Sequence, residues 1–124
     1  MVMRGLRDSN DESLALKPTV FHVLLSLVEG ERHGYGLVQD IAQRTAGRLR
    51  LEPGNLYRTL RQMLDQGLIE ESERRPARDL DDERRRYYHI TKAGRRAAEA
   101  EAARLNDLVI EARARKLLKA PGRT

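Results

Sequence analysis

Between Leu51 and Ile69, in the stretch LEPGNLYRTLRQMLDQGLI, the polar residues Asn55, Arg58, Arg61 and Gln62 recur at intervals that place them on one side of an α-helix, with Tyr57 on its flank. Their chemistry is recognition by hydrogen bonding. A guanidinium presents a fork of donors that fits guanine O6 and N7, and carboxamides fit adenine N6 and N7, both in the DNA major groove. Nothing comparable points to bond making. His22, His33 and His89 are far apart in the chain, and no HExxH, GxSxG, P-loop or GxGxxG pattern occurs. The chain has no cysteine, which excludes disulfides and thiolate zinc sites. No catalytic residue, metal or cofactor is expected.

A helix that displays those side chains must bury its other face, and Leu56, Leu60, Met63 and Leu64 at i, i+4, i+7 and i+8 supply one. Glu52 and Pro53 mark its start and Gly67 its stop. A polar outer face is more often plain solvated surface than a reader of anything. The neighbouring elements therefore decide between the two readings.

Residues 1–16 mix charges with Ser and Asn and read as a flexible arm, from which Arg4 and Arg7 could reach phosphates. Lys17 to Glu29, with Phe21, Leu24, Leu25 and Val28 at helical spacing, is a wide-striped core helix on which His22 is a packed residue. The turn GERHGYG leads to a second helix from about Tyr35 to Thr45, with Val38, Ile41, Ala42 and Thr45 inward and a stop near Gly47. The alternation in Arg48–Leu51 predicts a very short strand with its leucines inward. After the polar-faced helix, Leu68 to Arg75 and Arg85 to Ile90 predict a hairpin with a long charged tip, with Tyr88 and Ile90 inward. This order, helix, helix, short strand, helix, hairpin, is that of a winged helix-turn-helix: mainly α with a small β-hairpin, an α+β chain.

At 124 residues the chain is one small domain plus an arm. Its net charge is +5, and only Lys17, Lys92, Lys116 and Lys119 are lysines among 24 basic residues, so forked guanidinium contacts dominate over diffuse charge. No apolar run approaches a membrane span and no signal-like core opens the chain, so a cytoplasmic protein with no membrane partner is expected.

The segments HGYGLVQDIAQRTAGRLRLEPGNLYRTLRQMLDQGLIEE and RRRYYHITKAGRRA resemble the PadR family of bacterial transcriptional regulators, over about Val20 to Ala98. The resemblance implies a winged-helix repressor that dimerises through its C-terminal helix and is often released from DNA by a small-molecule effector. By position it implies groove and phosphate contacts for Asn55, Tyr57, Arg58 and Arg61, beside Gln62, and wing contacts for Arg84, Arg85 and Arg86. The acidic residues Glu73, Asp79, Asp81, Asp82 and Glu83 at the tip confine such contacts to the arginines at the strand ends. The family can grip flat ligands between tryptophans, and this chain has none.

Residues 17–91 thus form the expected DNA-binding domain. Thr91 caps a helix over 92–118, and residues 119–124 form a disordered tail. The stripe Ala98, Leu105, Leu108, Val109 and Ala112 on so long a helix exceeds what this small domain can cover, which predicts a homodimer. Double-stranded DNA is the expected partner. A winged-helix protein-interaction module and a small-molecule-binding protein with little DNA role are the alternatives, and the salt dependence of duplex binding separates them from a DNA reader.

Overall fold

Pro18 opens the first helix, α1 (Pro18–Val28), where its missing N–H lacks an intrahelical partner anyway. The computed structural model describes residues 15–72 and 86–119. Strand β1 (Arg32–His33) leads into α2 (Gly34–Arg44), then come α3 (Pro53–Asp65), β2 (Ile69–Glu71), β3 (Tyr87–Ile90) and α4 (Lys92–Ala114). The strands form one antiparallel sheet in the order β1-β3-β2. Arg32 pairs with Tyr88, and Ile69 pairs with Ile90.

The core is aliphatic. Val23, Leu24 and Leu27 of α1, Leu37 and Ile41 of α2, Leu56, Leu60 and Met63 of α3, and Ile69 and Tyr88 of the sheet are all buried. Each of the large side chains contributes roughly 2 kcal/mol by leaving water, and together they hold α3 by one face only. Its start is set by Pro53 and its end by Gly67 at φ +77°, where the Leu68 N–H closes on the Met63 carbonyl at 3.0 Å. His33 caps α2: its Nδ1 accepts from the Gly36 N–H at 2.9 Å.

A polar clamp joins α1 to α2. Buried Ser26 donates from Oγ to Asp40 Oδ2 at 2.6 Å and accepts from Arg44 Nη2 at 2.7 Å, while Arg44 Nε donates to Asp40 at 2.9 Å. Arg32 Nε reaches the Ser26 carbonyl at 3.2 Å and adds β1 to the clamp. Burial by itself would raise the Asp40 pKa, but the bonds from Ser26 and Arg44 and the charges of Arg32 and Arg44 hold it below the ordinary value. On α4, Glu101 is 5% exposed; the Arg104 hydrogen bond depresses its pKa, against burial and with help from the Leu16 N–H. Burial lowers His22, and the charge of Arg44 lowers it further.

All three shifts are depressions, so each group lends stability above its unfolded pKa that is lost as pH falls through its folded one. Stability should decline below about pH 6.5 through His22 and more steeply below about pH 4 through Asp40 and Glu101. In urea melts from neutral pH downward, Asp40→Asn should be less stable at pH 7 and show a shallower acid limb than the parent. An unchanged limb would remove Asp40 from this account.

Four features differ from the sequence expectations. On α1 the buried apolar side chains are Val23, Leu24 and Leu27, while Leu25 and Val28 of the expected stripe are exposed, because that stripe is wider than the face the other helices cover. Arg48–Leu51 is not a strand, because Thr45 Oγ1 at the end of α2 accepts the Leu49 N–H at 3.0 Å and the ladder place is taken by Arg32–His33, inside the stretch read as a turn. Leu49 and Leu51 still pack against the core. On α2 the fully buried pair is Leu37 and Ile41, with Val38 only partly buried, so the inward face is rotated from the expected one. Finally, α4 ends at Ala114 and not Leu118. Lys116 adopts φ +65°, and the Leu117 and Lys116 N–H groups turn back to Ala112 and Arg113 in a Schellman closure normally made with glycine.

Candidate nucleic-acid interface

With Leu56, Leu60 and Met63 turned into the core, the geometry of α3 forces Asn55, Arg58 and Gln62 to the far side of the wheel, and all three are exposed. Arg61 is exposed on the flank. Two of these side chains meet: Arg58 Nη1 donates to Asn55 Oδ1 at 2.8 Å. Tyr57 lies differently. It is half-buried, with its ring over Gly34 so closely that a Cβ there would stand 2.6 Å from the phenolic oxygen. Tyr57 therefore fixes how α3 crosses the start of α2.

Of the expected wing residues, Arg86 is described, and Arg84 and Arg85 lie outside the described residues, as do Arg4, Arg7 and the acidic tip residues 73–83. Arg86 Nη1 pairs with Glu71 Oε2 at 3.2 Å across β2 and β3. Together with Arg61, Tyr57, Leu64 and Tyr88 it lines a cleft of about 350 Å³ between α3 and the sheet. The structure so brings the flank of α3 and the base of the wing together. On the opposite strand face His89 Nε2 and Glu70 Oε1 stand 3.1 Å apart.

A second cleft, of about 500 Å³, opens at the N-terminal end of α3. It is lined by Thr19, Arg50, Glu52, Asn55, Arg58 and Thr59 among others. Thr19 and Arg50 were missed in the sequence, where the alternation RLRL made Arg50 the outer residue of a strand. The usable signal was its position, three residues before the proline that opens a polar-faced helix.

The expected dimer stripe divides in two. Ala98 is 8% exposed and belongs to the chain's own core, as do Gly94 and Glu101 on the same face of α4. Beyond Glu101 no residue of α4 is buried; Leu105 is 36% and Leu108 49% exposed, and Val109 and Ala112 are partly covered. One helical face thus starts inside the domain and continues out of it.

Among the described residues no group of three or more His, Cys, Asp or Glu side chains could hold a metal ion, and no helix is long and apolar enough to cross a membrane. The arrangement offers hydrogen-bond donors and positive charge along the exposed side of a helix whose other face is buried.

Residues 23–100 match the transcriptional regulator PadR-like family. The transcriptional regulator Rv3488 of Mycobacterium tuberculosis is 32% identical over 90 residues, which span 73% of this chain and 78% of that protein. Among solved structures, a PadR family transcriptional regulator from Eggerthella lenta superposes with a TM-score of 0.64 at 26% identity, covering 94% of this chain and 96% of that one. A PadR family regulator from Clostridium difficile has the same fold, with a TM-score of 0.65 at 18% identity over 79% of this chain and 97% of that one.

Proposed function

The chain belongs to the PadR-like family of transcriptional regulators, and on that footing we propose that it is a cytoplasmic, homodimeric repressor, a binding protein and not an enzyme, that reads a pseudo-palindromic DNA operator. The observation that carries this reading is the ridge on α3: Asn55, Arg58, Arg61 and Gln62 stand in solvent while the opposite face of the same helix is fully buried. A rigid helix with forked donors along its outer side fits a major groove. Arg50 and the Thr19 hydroxyl at one end of it, and Arg86 at the other, where it is paired with Glu71, add donors on the sides where the phosphates would run.

The dimer is supported by the open half of the α4 stripe, with Leu105, Leu108, Val109 and Ala112 available to a second copy. Residues 17–91 then hold the DNA-reading unit and α4 the seam. Two symmetric α3 helices enter successive major grooves when the half-sites lie about one helical turn apart. Release by a small-molecule effector is supported by the family resemblance. Such a ligand must bind the DNA-free arrangement of the dimer more tightly than the DNA-bound one.

The test is a titration of the purified protein against duplex from upstream of its own gene, with salt varied. If six or so phosphates are contacted, affinity should fall by about 10³-fold between roughly 50 and 200 mM salt. Binding that ignores salt would remove DNA as the partner.

A further inference from the structure

The contact between Asn55 and Arg58 bears on which base the ridge selects. Among the described residues, Arg32, Arg44, Arg86, Arg104 and Arg115 each pair with a carboxylate, whereas Arg58 forms no ion pair and its guanidinium is held by the neutral carboxamide of Asn55 one turn earlier. Its charge is therefore unspent. The bond uses Nη1, which leaves the parallel N–H groups of Nε and Nη2 on the other edge of the plane free for a two-point contact.

The bond also changes what Asn55 offers. A lone asparagine reads adenine with both ends of its amide, accepting from N6 and donating to N7. Here Oδ1 already spends one of its two lone pairs on Arg58, which ties the amide to the guanidinium, so the pair as a whole is richer in donors, the free guanidinium edge and the Asn55 NH₂, than in acceptors. Guanine shows two acceptors, N7 and O6, in the major groove. Adenine shows N7 beside an N6 amino group, a donor that would face donors.

We infer that Asn55 is a positioning residue for Arg58 and that the two act as one reader which selects a guanine in each half-site. This rests on the reading of α3 as the groove-entering helix and goes beyond it by naming the base and by removing Asn55 from the independent readers of adenine.

The experiment recovers preferred sequences from a randomised duplex pool with the full chain. It then measures the affinity of the parent, Asn55→Ala, Arg58→Ala and the double variant for that duplex and for versions with each guanine replaced by adenine. Both side chains are exposed, and circular dichroism checks that each variant is folded. The parent should prefer one guanine per half-site by roughly tenfold or more, the value of a good two-point contact. Arg58→Ala should abolish that preference and Asn55→Ala should lose most of it. The double variant should bind no more weakly than Arg58→Ala, because a coupled pair is not additive. Asn55→Asp, which keeps the acceptor oxygen, should retain the guanine preference at lower overall affinity.

Effects that multiply in the double variant, or an adenine preference lost at a separate position in Asn55→Ala, overturn the inference. So does an Arg58→Ala variant weakened equally on all sequences, which would make Arg58 a phosphate contact. In those cases duplex binding by the parent persists and the proposed function stands. Failure of the parent to bind any duplex overturns both.

Discussion

A variant carrying Leu105→Asp and Leu108→Asp is expected to sediment as a monomer and to bind a two-half-site operator roughly 10²- to 10⁴-fold more weakly than the parent, the range by which linking two binding units exceeds one. The effect is large because the two substitutions act where the chain's own domain gives no cover. The face of α4 that buries Gly94, Ala98 and Glu101 continues outward to Leu105 and Leu108, which are 36% and 49% exposed. In a dimer that surface closes on itself, and a carboxylate there would lose its water without gaining a cation. Affinity for a single half-site should change little, since both residues lie away from α3. Sedimentation that still shows a dimer would place the seam elsewhere.

Among the glycines of the described residues, Gly94→Ala should be the most damaging addition of a methyl group, lowering stability by about 3 kcal/mol and Tm by roughly 10 °C or more. At Gly94 a Cβ would overlap the Leu68 carbonyl oxygen and meet Ile90 Cγ1 at 3.0 Å. That carbonyl is fixed from the other side, accepting the Thr91 N–H at 3.1 Å, while Thr91 Oγ1 donates to the Gly67 carbonyl and accepts from the Gly94 N–H. Backbone therefore opposes backbone, and relief requires α4 to leave the corner between α3 and β2. The contrasting substitution is Gly54→Ala in the first turn of α3, where a Cβ would meet nothing within 4 Å. It should leave Tm unchanged or raise it slightly, as alanine for glycine in a helix does. Equal Tm values for the two variants would show that the α4 junction is looser than its geometry implies.

The parts of the fold that could be read from residues alone are those set by local rules. The limits of α3 follow from Pro53 and Gly67, and its buried face from Leu56, Leu60 and Met63, because both depend on spacing and on the stereochemistry of single residues. The inward placing of Tyr88 follows in the same way from the period of 2 along its strand, and it is buried.

Where the fold departs from the local pattern, a neighbouring group decides it. Alternation in Arg48–Leu51 describes a segment with one side toward the core, but a strand also needs a partner, and Thr45 had already taken the Leu49 N–H. Leu37 and Val38 are adjacent and both apolar, so periodicity could not choose which of them leads the inward face of α2. The end of α4 lacked its usual marker, since Lys116 and not glycine takes the left-handed position. Within the interface, spacing placed Asn55 and Arg58 on one side of a helix. The bond between them, and the way Tyr57 folds over Gly34, depend on rotamers and on a neighbouring helix.

Two copies of α3 are expected to enter successive major grooves on one side of a duplex. Hydroxyl-radical footprinting of the full chain on its selected duplex tests this most directly. The expected result is paired protected patches whose centres lie about 10 base pairs apart on one face, erased by Arg58→Ala at a concentration where the parent saturates. Protection without that spacing, or a footprint that Arg58→Ala leaves intact, would contradict it.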